Sequence, residues 1–213
     1  RKGRVKRTPL SAYARVRQTG IIGVALAEDD ALLSARVVTE GQHVILGTKN
    51  GMSIRFDVKD VRSMGRDSRG VKGIDLRDGD EVVGMDVIEG ETEQQVLTVS
   101  ENGYGKRTLV PEYRPQNRGG KGITSIDLKR DKSSSSVVAS FTVATDDQLV
   151  IVSDGGQLIR CPVDKISTVG RATRGVTVFK VADDEHVVSV SRLQDDGDDE
   201  EAESSDEVNQ GDA

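Results

Sequence analysis

Tryptophan is absent from this 213-residue chain, and it carries only three Phe, three Tyr, four Pro, two His and one Cys. A single cysteine, Cys161, excludes an internal disulfide framework, and with only His43 and His186 beside it there is no ligand set for a zinc cluster. No run approaches the roughly 20 apolar residues of a membrane span. No charged-then-apolar leader opens the chain either, so a soluble cytoplasmic protein without membrane contact is expected. Catalysis also fails on inventory. Neither histidine has the Ser or Cys setting of a hydrolase. The carboxylate pairs at Asp29-Asp30, Asp146-Asp147 and Asp183-Asp184 precede strand-like runs, where Asp favours turns by bonding its own backbone. The run GGKG at 119–122 lacks the spacing and following helix of a phosphate-binding P-loop. No catalytic residue, metal site or cofactor is therefore expected in this chain.

What the chain does have is glycine, 23 residues of it, and charge, at 31% of the total. The net charge of -6 averages two unlike segments. Residues 194–213 hold 10 acidic groups and no Lys or Arg, which leaves 30 basic against 26 acidic groups in 1–193. A mildly basic body with an acidic, disordered tail is expected, the tail being either a solvated solubiliser or a competitor for whatever polyanion the body binds.

Self-comparison reveals a repeat. Segments 2–13, 50–61, 102–113 and 155–166 superimpose without gaps on Gly3, Gly51, Gly103 and Gly156. Four residues on stand Arg7, Arg55, Arg107 and Arg160; ten residues on stand Tyr13, Val61, Tyr113 and Ile166, which read as core. Strand-like runs recur at 32–38, 82–88, 137–143 and 187–193. Three more, at 44–48, 96–100 and 149–153, lead into Asn-Gly or Gly-Gly turns. About four strands per unit, four units and little helical period indicate an all-β, propeller-like fold of four blades. The units fall near 1–43, 44–95, 96–148 and 149–193. The first is incomplete, because no strand precedes Gly3.

Positive charge recurs at one place in each unit, between the core position and a second glycine taken as Gly20, Gly70, Gly119 or Gly175. The loops carry Arg15 and Arg17; Arg66 and Arg69, with Lys72 just beyond; Arg114 and Arg118, with Lys121 just beyond; and Arg171 and Arg174. Equivalent loops of a propeller share one rim, so these groups should form a curved stripe able to neutralise phosphates. The scarce aromatics are not interleaved with the basic residues, which argues against stacking on single strands and favours a duplex backbone bound with low sequence preference. A propeller that binds another protein is the competing class, with Tyr104 its one candidate anchor.

The loop Gln116-Asn117-Arg118-Gly119-Gly120-Lys121-Gly122, following NGYGKRT at 102–108 and PEY at 111–113, resembles the box Q-[RK]-R-G-G-[RK]-G of the C-terminal domain of the DNA gyrase A protein. Six of seven positions agree, and Asn117 stands where the family has a basic residue. The resemblance implies a β-pinwheel that wraps duplex DNA around its rim, contacting it through residues 116–122 and the loop cations above. It implies, further, that this fragment, itself monomeric, is the last four of about six blades and works with the rest of the gyrase A protein and with gyrase B in an A2B2 assembly on the nucleoid. The ATP and Mg2+ of that parent enzyme would sit outside this chain. The C-terminal domain of the corresponding A protein of topoisomerase IV is the nearest related alternative.

Overall fold

The computed structural model describes residues 1–89, 93–130 and 135–193; the acidic tail at 194–213 lies outside the described residues. The described residues form strands and one-turn 3-10 helices only. The strands, in order, are β1 (Arg4–Val5), β2 (His43–Thr48), β3 (Met52–Asp57), β4 (Val71–Lys72), β5 (Val82–Ile88), β6 (Gln95–Ser100), β7 (Tyr104–Leu109), β8 (Ile123–Thr124), β9 (Val137–Val143), β10 (Gln148–Ser153), β11 (Leu158–Pro162), β12 (Val176–Thr177) and β13 (Val187–Leu193). The seven-residue runs at 82–88, 137–143 and 187–193 are strands over the range their β-branched pattern predicts.

The sheets are all antiparallel and run β5-β2-β3-β8, β9-β6-β7-β12 and β13-β10-β11, with a two-stranded remnant β1-β4. Each hairpin turns at a glycine of positive φ, such as Gly51 and Gly103, so the repeat glycines of the sequence are the hairpin tips. The fourth strand of each complete sheet does not come from its own repeat. β8 belongs to the third unit but pairs with β3 of the second, and β12 of the fourth unit pairs with β7 of the third. In the same way β4 of the second unit pairs with β1 of the first. Each complete unit thus contributes four strands, as expected, but only three stay at home: the two-residue strand is passed to the preceding blade.

A second correction concerns residues 32–38, expected as a strand. They adopt no strand, because in the other blades the equivalent strand pairs only with the first strand of its hairpin, as β5 does with β2. Among the described residues the first blade has no such partner. Its apolar residues stay uncovered, with Leu32 62% and Val37 70% exposed, around a groove of about 1070 Å3 lined by Val5, Leu10, Tyr13, Leu32, Val44 and Leu46.

The blade cores are small aliphatic clusters, as the paucity of aromatics requires. Leu46, Ile54, Phe56 and Ile74 fill the second blade, and Leu149, Ile151, Val163 and Phe179 lie in the cluster of the last two. Val61, Tyr113 and Ile166 are buried as core, whereas Tyr13 in the open first blade is only half-buried. Adjacent blades meet along β5 and β9. Gly84 lies so near the Ser140 carbonyl that a β-carbon would come within 1.9 Å of its oxygen. Beside it the buried Asp86 carboxylate accepts from the Thr142 amide at 2.9 Å and the Thr142 hydroxyl at 2.7 Å. Charge buried at this seam is thus hydrogen-bonded on arrival, which offsets its desolvation.

Candidate nucleic-acid interface

Each of the three candidate wrapping loops runs from a core residue to a glycine, and the glycine must be identified correctly before the loops can be compared. Gly70, Gly122 and Gly175 have φ of +75°, +73° and +90° and lie against the β3-equivalent strand of the preceding unit, where an added β-carbon would meet the oxygens of Val5, Ser53 and Gly105 at 2.4, 2.5 and 2.5 Å. Each immediately precedes an exchanged strand, β4, β8 or β12. Gly122, not Gly119, is therefore the equivalent of Gly70 and Gly175. The sequence alignment through Gly119 is off by three residues in this unit. In the corrected register Arg66, Arg118 and Arg171 coincide, and so do Arg69, Lys121 and Arg174.

Each loop rests on the unit before it through bonds that repeat. At the entry the amides of Met64, Gln116 and Val169 donate to the carbonyls of Arg7, Arg55 and Arg107 at 2.8, 2.8 and 2.9 Å. Past the glycine, the amides of Gly73, Ser125 and Val178 donate to Gly3, Gly51 and Gly103 at 2.8, 2.7 and 2.9 Å. Between them, the carbonyls of Ser68, Gly120 and Thr173 accept from the amides of Ala25, Asp75 and Asp127. The repeat arginines of the hairpins reach the opposite way. Arg55 donates to the Val110 and Tyr113 carbonyls, and Arg107 to those of Ile166 and Asp164, so these buried guanidinium groups bond to backbone of the following unit.

The cations divide into two classes. The earlier one in each loop is half-buried and bonded backwards: Arg66 donates to the Ile22 carbonyl at 3.0 Å, Arg118 to those of Lys72 and, at 3.1 Å, Asp60, and Arg171 to that of Thr124. The later one stands at the rim. Arg69 and Lys121 are exposed, whereas Arg174 is half-buried, 4.2 Å from the centroid of the Tyr104 ring. Lys72 pairs with Asp75 at 2.6 Å, and this bond holds the Asp75 carboxyl below the usual carboxylate range. Arg114, Asn117 and Lys121 are exposed beside the box, while Gln116, Gly119, Gly120 and Gly122 are half-covered within it. Arg15 and Arg17 are exposed, but in the first unit the two cation positions are Val16 and Thr19, so this loop breaks the pattern. Tyr104, the candidate protein anchor, is half-buried beneath Arg174.

Sequence reasoning missed the two lysines beneath the loops. The Lys6 ammonium donates to the carbonyls of Gly23, Gly65 and Arg66, and the fully buried Lys106 ammonium to those of Gly170, at 2.8 Å, and Arg171. Burial pushes the Lys106 amine down to about 8. At the same repeat position the second unit has Ile54, whose Cδ1 methyl lies 3.7 Å from where a β-carbon on Gly120 would stand. The signal was available: Lys6, Ile54 and Lys106 each precede the repeat arginine by one residue, and Ile54 and Lys106 are buried positions of β3 and β7.

Among the described residues there is no cluster of His, Cys, Asp or Glu suited to a metal, and no helix long and apolar enough to cross a membrane. Comparison with known proteins is consistent in its direction. Residues 1–39, 42–89, 94–139 and 147–194 match the family described as DNA gyrase C-terminal domain, beta-propeller. The DNA gyrase A protein of Haloquadratum walsbyi is 45% identical over 88% of this chain, and that of Staphylococcus aureus 42% identical over 94%. The chain spans only 22% of the length of these relatives. A solved DNA gyrase A C-terminal domain superposes with a TM-score of 0.76 at 33% identity, over 91% of this chain and 63% of that one. The C-terminal domain of DNA topoisomerase IV gives 0.85 over 91% and 60%, and at 22% identity it speaks for the shared fold. With its exchanged strands, four successive matches and this degree of identity, the chain belongs to the DNA gyrase C-terminal domain family of β-propellers.

Proposed function

We propose that the domain binds duplex DNA along the loops at 62–70, 114–122 and 167–175 and bends it across successive blades. The observation that carries this reading is the repetition of a rim cation one residue before each pivot glycine, at Arg69, Lys121 and Arg174, on loops seated by the same backbone bonds. Equal seating gives equal spacing along the chain of blades, and a row of equally spaced cations suits a phosphate backbone. Nothing in these loops is a base-reading helix, so preference among sequences comes from how easily a duplex bends. Arg15, Arg17, Arg114, Lys72 and the half-buried arginines add to the field around the stripe. Within a gyrase A protein that works with gyrase B in the cytoplasm, such a domain gives strand passage a direction and so introduces negative supercoils, with ATP and Mg2+ bound elsewhere in that assembly.

The direct test is duplex affinity against ionic strength. Neutralising roughly three to six phosphates predicts that log K falls with log salt at a slope between about -3 and -5. Affinity indifferent to salt would refute the reading. Against the topoisomerase IV alternative, the discriminating readout is whether the parent enzyme introduces negative supercoils or only relaxes and decatenates.

A further inference from the structure

The earlier arginine of each loop is bound to the same atom of the preceding unit every time. Lys72 and Thr124 lie two residues past the pivots Gly70 and Gly122, Ile22 lies two residues past Gly20, which shares their positive φ, and the three carbonyls accept from Arg118, Arg171 and Arg66 in turn. We propose that these three arginines are positioning residues, clasps that set the angular step from one phosphate-binding loop to the next, rather than primary phosphate ligands. This rests on the duplex-binding reading and adds to it a division of labour between the two cations of each loop.

The chemistry favours arginine for this task. Arg118 spans two carbonyls of the second unit at once, Lys72 on the exchanged strand and Asp60 on the one-turn 3-10 helix Val58–Asp60. A planar guanidinium offers donors in a rigid fork that holds two acceptors at a fixed angle; an ammonium on a flexible stem, such as Lys106, also reaches two carbonyls but does not fix the angle between them. The clasp also lies beside the Asp75 amide bond to the Gly120 carbonyl, 2.8 Å long, so it stiffens the junction where the box loop meets the second unit. Three residues further on, Lys121 stands exposed. The bend of a bound duplex is then fixed by the blade-to-blade step, which the clasp sets, and its affinity by the outward cations.

The variant Arg118→Lys separates these roles, because it keeps the charge and loses the fork. In the 213-residue chain without DNA, exchange of the Asp75 amide proton should quicken about tenfold, the cost of a charge-assisted hydrogen bond seen at its neighbour. With DNA, the salt slope should stay at the wild-type value, while closure of a short duplex into circles by ligase, a measure of bending, should fall about tenfold if the step between blades loosens. The contrasting variant Lys121→Gln should lower the salt slope by about 0.9 and leave bending at saturation intact. If Arg118→Lys bends duplex as the wild type does, or if it loses one phosphate from the salt slope, the clasp is overturned. Unchanged Asp75 exchange overturns it without any DNA present. Salt-indifferent binding by the wild type, with Asp75 exchange quickened as expected, would instead refute duplex binding and leave the clasp standing. Should circular dichroism show Arg118→Lys unfolded, Arg66→Lys reads the same step one unit earlier, against the Ile22 carbonyl.

Discussion

The box loop of the third unit and the loop of the fourth follow the same path over different floors. Beneath the fourth lies the Lys106 ammonium, buried and bonded to the Gly170 and Arg171 carbonyls; beneath the box lies Ile54, wholly apolar and wholly buried. Entry bond, exit bond, pivot glycine and backward arginine are nonetheless the same in both. A common geometry reached over unlike floors shows that the backbone seating and the pivot glycine define the loop, while the floor only fills the space beneath it. The box also has its own compensation: the Gly119 amide donates to the Gly73 carbonyl at 2.7 Å, a further backbone tie to the second unit where the fourth loop has the Lys106 side chain beneath it.

If the pivot defines the loop, the largest effect should come from Gly122→Ala. At φ +73° an alanine is strained, and its β-carbon would stand 2.5 Å from the Ser53 oxygen, so the exchanged strand must pull away from β3. A loss of about 3–4 kcal/mol in urea unfolding is expected. Gly119→Ala, also at positive φ but with its nearest neighbour 3.5 Å away, should cost only about 1 kcal/mol. Equal costs at the two glycines would return the register to Gly119 and dissolve the equivalence between Lys121, Arg69 and Arg174.

That register was legible in the sequence, though not through the feature that draws the eye. From the core positions Val61, Tyr113 and Ile166 the pivot glycine is nine residues on in every case, and the pair Gly119-Gly120 interrupts the count only by resembling a pivot. The long strands were readable because six or seven β-branched and alternating residues carry a period. The exchange of strands between units was not, since two residues such as Ile123-Thr124 carry none, and their partner is decided by where the preceding hairpin presents an open edge. The failure at 32–38 has the same root: its composition is that of a strand, but a ladder needs a neighbour, and none of the described residues supplies one. Of the candidate site, the identity of the cations was visible, and their division into clasping and outward groups was not. Both kinds are arginine or lysine in a loop, and only carbonyls from another repeat distinguish them.

The comparison of floors can be broken next at Ile54. If the floor serves to fill space, Ile54→Ala leaves a cavity below Gly120 and should cost about 2–3 kcal/mol. Ile54→Lys, by copying the floor of the fourth unit, should cost less, because the ammonium would find the Asn117 and Arg118 carbonyls where Lys106 finds those of Gly170 and Arg171. An Ile54→Lys variant less stable than Ile54→Ala, by chemical denaturation at pH 7, would show that the two floors are not interchangeable.

The smallest effect, and the most specific to the fourth loop, is a dependence on pH. The folded-state pKa of Lys106 lies at about 8 against 10.5 for a free lysine. Between those values the unfolded chain retains a proton that the folded chain has released, so the contribution of Lys106 to stability rises with pH across that window and is least favourable below pH 8, where a charged amine is held in the core. Lys106→Ile, which gives the fourth loop the floor of the box, should abolish that rise and leave the protein no less stable at pH 7, because the lowered pKa means that burying the charge costs more than its two hydrogen bonds return. The measurement is the difference in urea midpoint between pH 7.5 and pH 9.5 for wild type and variant. Identical shifts in the two proteins would mean that Lys106 is not the group that titrates, and that its ammonium reaches water while it holds the Gly170 and Arg171 carbonyls.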